Sequence, residues 1–418
     1  MSATLNADVT PRAWAATAKD RLSSRRLRDV LSLDDFERVA RRHLPHPVFA
    51  YVAGGAETDW SLRDNRAAFA DYAFLPRALV DVSRRSPATT LFGRTYAAPF
   101  GIAPMGMCAL YAYRGDLVLA RAAAKANVPM MMSATSLIPL EDVARQTPGT
   151  WFQAYLPGTA EEIVPLVERV ARAGFETLVI TVDCQIPGNR ENNVRAGFSA
   201  PLRPTARLVF DGLSHPRWLA GTFLRTLAQH GMPHFENNFA ARGAPILSRN
   251  VLRDYSDRGQ LDWRHWRLVR DMWKGTLVIK GILDPRDAKR AQELGADGVI
   301  VSNHGGRQLD GAIAPLRVLP AIVAACSDIP VMIDSGLRRG TDVLKALALG
   351  ARFVFVGRPF GFAAAVAGDA GVRHAIDILA REIDRDMGML GITRLGELDP
   401  SWLVRVGASG HDVCTMRQ

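Results

Sequence analysis

The run Asn303-His-Gly-Gly-Arg307 sets a base and a carboxylate-binding cation on either side of two glycines. It follows Val299-Ile-Val301, a β-branched stretch of the kind that fills a buried parallel strand, so a strand is expected to end on it. Gly305 and Gly306 let the backbone turn sharply and approach a ligand closely. The three-residue offset leaves His304 and Arg307 free to converge on one small molecule, the imidazole as proton acceptor and the guanidinium as anion clamp. Taken alone, the same run also reads as a turn with a hydrogen-bonded histidine and a solvated arginine.

The elements that must hold these groups repeat along the chain. Short apolar runs near Phe100 to Pro104, Met130 to Ser133, Trp151 to Tyr155, Leu178 to Asp183, Leu277 to Lys280, Val299 to Ser302, Val331 to Asp334 and Phe353 to Val356 read as strands. Helical patterns fall between them at about Asp116 to Ala126, Leu140 to Gln146, Ala160 to Ala173, Asp262 to Trp273, Asp284 to Leu294, Pro315 to Ala325 and Thr341 to Leu349. This alternation predicts an α/β TIM (β/α)8 barrel, whose chemistry sits at the C-terminal ends of the strands. Before it, a helix starts at Ser32, a residue type suited to an N-cap, and belongs to an N-terminal helical extension.

Strand parity selects further candidates. Gln153 and Tyr155 are two apart, as are Thr181 and Asp183, so each pair points to one side of its strand, where burial would demand partners. Lys280 ends the fifth strand, and a buried lysine is costly without an anion opposite. Asp334-Ser-Gly-Leu-Arg338 and Gly357-Arg358 follow the seventh and eighth strands, where barrels commonly bind phosphate.

Together these segments resemble the FMN-dependent α-hydroxy-acid dehydrogenase and oxidase family, from about Leu31 to about Leu403. The resemblance implies that His304 is the general base and that Asp183 holds its far nitrogen. It implies that Tyr51, Tyr155, Arg190 and Arg307 bind the substrate. Ala103, Pro104, Met105, Ser133, Gln153, Thr181, Lys280, Ser302, Asp334, Gly336, Arg338, Gly357 and Arg358 would contact FMN. The implied reaction is oxidation of a mandelate- or lactate-like L-2-hydroxy acid to the 2-oxo acid, with electrons passing to a membrane quinone. An oxygen-using oxidase would carry the same residues. Gly106 stands where oxidases often have alanine and some dehydrogenases glycine, and Thr135 stands where glycolate oxidation is served by a bulky tryptophan, which favours a roomier pocket. Met105 and Ala134 depart from commoner family residues. A homotetramer is the expected assembly.

Composition sets the outer bounds. With 418 residues, 48% hydrophobic and 22% charged, the chain suits one barrel of roughly 250 residues or more with additions. No apolar run approaches the roughly 20 residues of a spanning helix. Cys108, Cys184, Cys326 and Cys414 are scattered without a CxxC pair, which suggests neither a zinc site nor a disulfide framework and fits a reducing cytoplasm. The net charge of +10 favours an anionic partner without choosing among nucleic acid, lipid and substrate. A non-enzymatic basic barrel would explain the charge but not His304, Asp183 and the flavin-contact set together, so no nucleic-acid partner is assigned.

Residues 1–30 read as a basic extension, and residues 31–418 as the FMN-binding barrel domain. After the fourth strand the βα rhythm is interrupted over residues 184–262. There Leu219, Phe223 and Leu227 lie at helical i, i+4 spacing, with Arg217 and Arg225 near the two ends and Trp218 as a further apolar group for contact with lipid. This insertion resembles that of the mandelate-oxidising branch, which associates with membrane, and predicts peripheral contact with the inner face of a bacterial cell membrane.

Overall fold

Eight of the apolar runs become eight parallel strands closed into a TIM barrel: β1 (Phe100–Ile102), β2 (Met131–Ser133), β3 (Trp151–Ala154), β4 (Thr177–Thr181), β5 (Thr276–Ile282), β6 (Gly298–Val301), β7 (Val331–Ile333) and β8 (Phe353–Val356). The computed structural model describes residues 27–198, 205–248, 250 and 258–406; most of the basic extension, including Arg21 to Arg26, lies outside them. Each strand pairs with the next in sequence, β8 pairs with β1, and a parallel bridge between Ile102 and Met130 closes the ring.

Alternation along the strands separates two cores. Outward residues such as Phe152, Leu178, Ile180, Ile279, Val301 and Ile333 join the helices in a large apolar layer. Inward residues Met131, Trp151, Val179, Val278, Ile300, Met332, Phe353 and Phe355 fill the barrel, which the hairpin Thr89–Leu91/Arg94–Tyr96 plugs with Leu91 and Tyr96. Two residues further along the inward rows of β2 to β7 the side chains turn polar: Ser133, Gln153, Thr181, Lys280, Ser302 and Asp334, all buried. The barrel is thus dry at its N-terminal end and polar at its C-terminal end.

The crossover helices fall within a residue or two of their sequence expectation, from Gly115–Lys125 to Gly340–Ala348. The helix after β8 was not anticipated. It runs Arg358–Leu390 with a break at Ala367 and Gly368, and packs on helices Leu33–His43 and Gly115–Lys125. The first of these is capped as expected, with Ser32 N and Oγ both donating to Asp35 Oδ2 at 2.9 Å. Strand Leu403–Arg405 returns to pair with Tyr72–Phe74.

The insertion corrects one expectation. Trp218 is buried, donates from Nε1 to the Leu110 carbonyl at 2.8 Å and stacks on Phe223 at 5.6 Å; Leu219 and Phe223 pack on the same core, and Leu227 is half-buried. The stripe expected to meet lipid is therefore turned toward the barrel, because an apolar stripe serves either neighbour equally well. Among the described residues of the insertion's helices, the large apolar side chains left exposed are Val194, Val209, Phe210, Leu213 and Leu224.

Candidate active site

The loop after β6 is held in an uncommon backbone state. His304, Gly305 and Gly306 all have positive φ, 59°, 66° and 71°, and a non-glycine residue persists there only where its surroundings fix it. Those surroundings are visible: His304 N donates to Ser302 Oγ at 3.0 Å, Gly305 N to Ser335 Oγ at 3.0 Å, and Gly306 N to Asn303 Oδ1 at 3.1 Å. Asn303 and Asn65 exchange side-chain amide bonds at 2.8 and 2.7 Å. A Cβ on Gly306 would lie 2.5 Å from Leu62 N, so the N-terminal segment docks here only against glycine.

The docking carries His304 to Asp183. Nδ1 lies 2.9 Å from Asp183 Oδ1, and Nε2 lies 3.3 Å from the Tyr155 hydroxyl. Asp183 fits because β5 bulges at Gly281, φ 100°, where any Cβ would meet the Asp183 side chain at 2.7 to 2.9 Å. Burial alone would raise the Asp183 pKa, but His304 and Lys280 outweigh it and hold the carboxyl at about 2. Burial pushes His304 below its ordinary 6.5, partly offset by Asp183, so the ring is neutral near pH 7. An ionised Asp183 takes the Nδ1 proton as acceptor, which leaves Nε2 as the basic lone pair. Burial, with Cys184 and Asp183, lifts the Tyr155 phenol well above 10 and keeps it neutral.

Facing this pair are half-buried cations. Arg307 donates to the carbonyls of Gly54 at 2.7 Å and Val52 at 3.4 Å, and its guanidinium sits 5.2 Å over the Tyr51 ring. Arg358 reaches the same two carbonyls at 2.9 and 3.1 Å, and that of Gly305 at 2.9 Å. These carbonyls end helix His46–Ala53, the negative end of its dipole. Arg190 donates to the Arg307 carbonyl at 3.2 Å and to Gln308 at 2.8 Å. Among the described residues none of the three has a carboxylate partner. Burial, then Arg190, lowers Arg307 to about 10; burial, then Arg307 and Arg338, holds Arg358 well below its ordinary value. Cations that depress one another in a buried site call for anions.

Beside them lies a cluster of unfinished polar groups. Ser133 Oγ donates to Gln153 Oε1 at 2.9 Å, while Gln153 Nε2 and Thr181 Oγ1 are buried without a partner among the described residues. Lys280 Nζ lies 3.1 Å from Asp334 Oδ2 and donates to Ser302 Oγ at 2.9 Å; burial would lower its pKa, but Asp334 and Asp183 raise it. Ala103, Pro104 and Met105 follow β1, and a Cβ added at Gly361 would lie 3.1 Å from Met105 Sδ. Gly336 turns with φ 89°, and Arg338 beyond it is buried 3.4 Å from Asp34. An alanine at Gly106 would place its Cβ 2.3 Å from Thr135 Oγ1 and 3.0 Å from the Tyr51 hydroxyl, so that glycine sets the room above this cluster.

All the sequence candidates thus converge on one end of the barrel. Sequence reasoning missed Cys184 as a neighbour of His304 and missed Arg258, buried with its guanidinium 5.1 Å over the Tyr155 ring. It also missed Asn65 and Ser335, which brace the turn. Only Ser335, inside the Asp334-Ser-Gly run, carried a local signal.

A neutral base facing unneutralised cations can take a proton from an anionic substrate, and the orphan amide and hydroxyl groups beside them leave room for an organic cofactor in the same polar mouth. The chain matches the FMN-dependent dehydrogenase family over residues 40–405 and belongs to it. It is 38% identical over 383 residues to (S)-mandelate dehydrogenase of Pseudomonas putida, covering 91% of this chain and 95% of that one. It is 40% identical over 392 residues to an L-lactate dehydrogenase of Caulobacter vibrioides, covering 91% and 100%. A crystal structure of (S)-mandelate dehydrogenase, described as a monotopic membrane protein, superposes with a TM-score of 0.85 at 38% identity over 90% of this chain and all of that one. A mandelate oxidase gives 0.73 at 36% identity, over 90% of this chain and 98% of that one.

FMN is the cofactor of this family, and the residues present suit it. The free donors of Gln153 and Thr181 match a ring rich in acceptors, Lys280 offers a buried cation to it, and Arg338 with the Gly336 and Gly357 amides suits a single phosphate.

Proposed function

We propose that the protein oxidises a small mandelate- or lactate-like L-2-hydroxy acid to the 2-oxo acid and passes the electrons to a membrane quinone. The observation that carries this reading is the neutral His304 base, oriented by ionised Asp183, facing half-buried Arg307 and Arg190 that lack a carboxylate partner among the described residues. FMN, when bound, accepts the two electrons that leave the substrate carbon. Arg307 and Arg190 bind the substrate carboxylate with the Tyr51 hydroxyl beside them, and that grip fixes the hydroxyl-bearing carbon. Tyr155, neutral and next to Nε2, donates to the substrate oxygen. His304 Nε2 receives the proton, and Asp183 stabilises the imidazolium that results. Lys280, buried and positively charged, would hold a flavin ring bound beside it through charge.

The test is spectroscopic. Purified protein is expected to be yellow and to bleach under anaerobic addition of (S)-mandelate or L-lactate; a protein that binds FMN yet bleaches with no 2-hydroxy acid would reject the reading. Slow recolouring in air and fast recolouring with a quinone separates the dehydrogenase from the oxidase.

Membrane contact is assigned to the outer face of the insertion. Helix Ala206–Ser214 exposes Val209, Phe210 and Leu213 on one side, with Leu224 on the next helical stretch and the exposed Arg217 and Arg225 nearby. Such a helix lies in an interface, and among the described residues no helix is long and apolar enough to cross a membrane. Each arginine near acidic lipid adds roughly 1 kcal/mol. The Phe210→Asp, Leu213→Asp double variant should lose most co-sedimentation with acidic phospholipid vesicles while keeping dye-linked turnover. Undiminished sedimentation would place the contact elsewhere. The inner face of a bacterial cell membrane and a homotetramer are the setting this reading adopts from the family resemblance.

A further inference from the structure

Cys184 stands immediately after the aspartate that orients the base. Its Sγ lies 3.1 Å from Asp183 Oδ1, 3.2 Å from His304 Nδ1 and 3.9 Å from His304 Nε2. With the 2.9 Å between Asp183 Oδ1 and His304 Nδ1, thiol, carboxylate and imidazole atoms form a nearly equilateral triangle. The three ligand-type side chains come from two loops, and each is partly buried. Asp183 Oδ2 is buried and has no hydrogen-bond partner among the described residues, so the carboxylate has an oxygen to spare. The reaction as read above uses no thiol.

Zinc binds Cys, His and Asp at about 2.3, 2.0 and 2.1 Å, which puts tetrahedrally arranged ligand atoms about 3.3 to 3.6 Å apart. The observed triangle needs to open by only a few tenths of an ångström. We propose that Asp183, Cys184 and His304 form a capture site for a soft divalent cation of the zinc and cadmium class, and that occupation switches the enzyme off reversibly. The inhibitory part rests on the reading of His304 as the base. Thiolate and imidazole select zinc and cadmium over magnesium and calcium, which prefer oxygen ligands and more of them.

Loss of activity follows from proton positions. A cation on Nδ1 displaces the proton that Nδ1 donates to Asp183, and that proton moves to Nε2. The thiol proton leaves to solvent, since a coordinated thiol binds as thiolate. Nε2 then carries hydrogen and can no longer receive the substrate's proton. No electrons are transferred, and removal of the cation by a chelator restores the original tautomer.

The experiment uses the FMN-loaded full chain. Cadmium titration should give a sulfur-to-cadmium charge-transfer band in the ultraviolet that saturates at one cation per chain and is lost in Cys184→Ser. That readout is independent of turnover, so it holds even if the hydroxy-acid reading fails. Dye-linked oxidation should be inhibited by micromolar buffered zinc, recover with EDTA and ignore millimolar magnesium. Relative to its own uninhibited rate, Cys184→Ser should need at least about tenfold more zinc, as loss of a metal-site interaction commonly costs. On the unsubstituted protein, zinc should slow carboxymethylation of Cys184, read by mass spectrometry, which needs no variant to fold. No charge-transfer band, equal zinc sensitivity in Cys184→Ser, or no protection of Cys184 would each overturn the proposal.

Discussion

His304→Ala should yield a yellow protein that hydroxy acid no longer bleaches. The imidazole contacts Asp183, Cys184 and Tyr155, whereas the groups suited to FMN lie on β2 to β5 and after β7 and β8, so cofactor retention and loss of reduction should separate cleanly. Removing a general base commonly costs about 10²- to 10⁴-fold, and stopped-flow reduction rates measure it directly. The unsubstituted enzyme should also show an acid limb. His304 must be neutral to act, and burial lowers its pKa, so reduction should fall only as pH drops through a midpoint below 6.5. Asp183→Asn removes the neighbour that holds that pKa up and should move the midpoint lower still. A His304→Ala enzyme within a few-fold of its parent would remove the base assignment.

Lys280→Met should be the most destabilising single change at the site. The ammonium is 3% exposed and neutralises Asp334 at 3.1 Å, with Asp183 also within its field. Taking one partner from a buried ion pair leaves an uncompensated charge, at a cost of about 3 to 5 kcal/mol. Chemical denaturation with and without added FMN should show that loss in both states, together with weaker FMN retention by fluorescence. A variant as stable and as yellow as its parent would show that Asp334 is satisfied by other means.

The barrel was legible because parallel strands buried on both faces read as short apolar runs, and the helices between them carry 3.6-residue patterns. The site was legible where chemistry coincides with strand parity: Thr181 with Asp183, Gln153 with Tyr155, and Lys280 and Asp334 as the polar ends of inward rows. What escaped was set by tertiary neighbours. Cys184 becomes significant only when the chain brings it 3.2 Å from a histidine 120 positions away, and Arg258 only when its guanidinium settles over Tyr155. Trp218 shows the limit of periodicity: the i, i+4 pattern marked an apolar stripe correctly but could not say that Leu110 and the barrel, rather than lipid, lay against it. The helix after β8 went unread, and its non-helical break at Ala367 and Gly368 interrupts the periodic pattern.

The shared grip of Arg307 and Arg358 on the carbonyls of Val52 and Gly54 bears on how the enzyme is born. The Arg307 contact to Gly54 spans 253 residues, and that of Arg358 spans 304. At about 5 to 20 residues per second, a ribosome takes roughly 13 to 50 s to supply the first arginine after its acceptor has been made. Helix His46–Ala53 must wait through that interval with Val48, Phe49 and Val52, buried in the finished protein, exposed or chaperoned. A nascent chain stopped before Arg307 therefore lacks both the clamp and the partner that seats its own first helices. Premature termination anywhere upstream should yield a sticky, inactive fragment rather than a crippled enzyme.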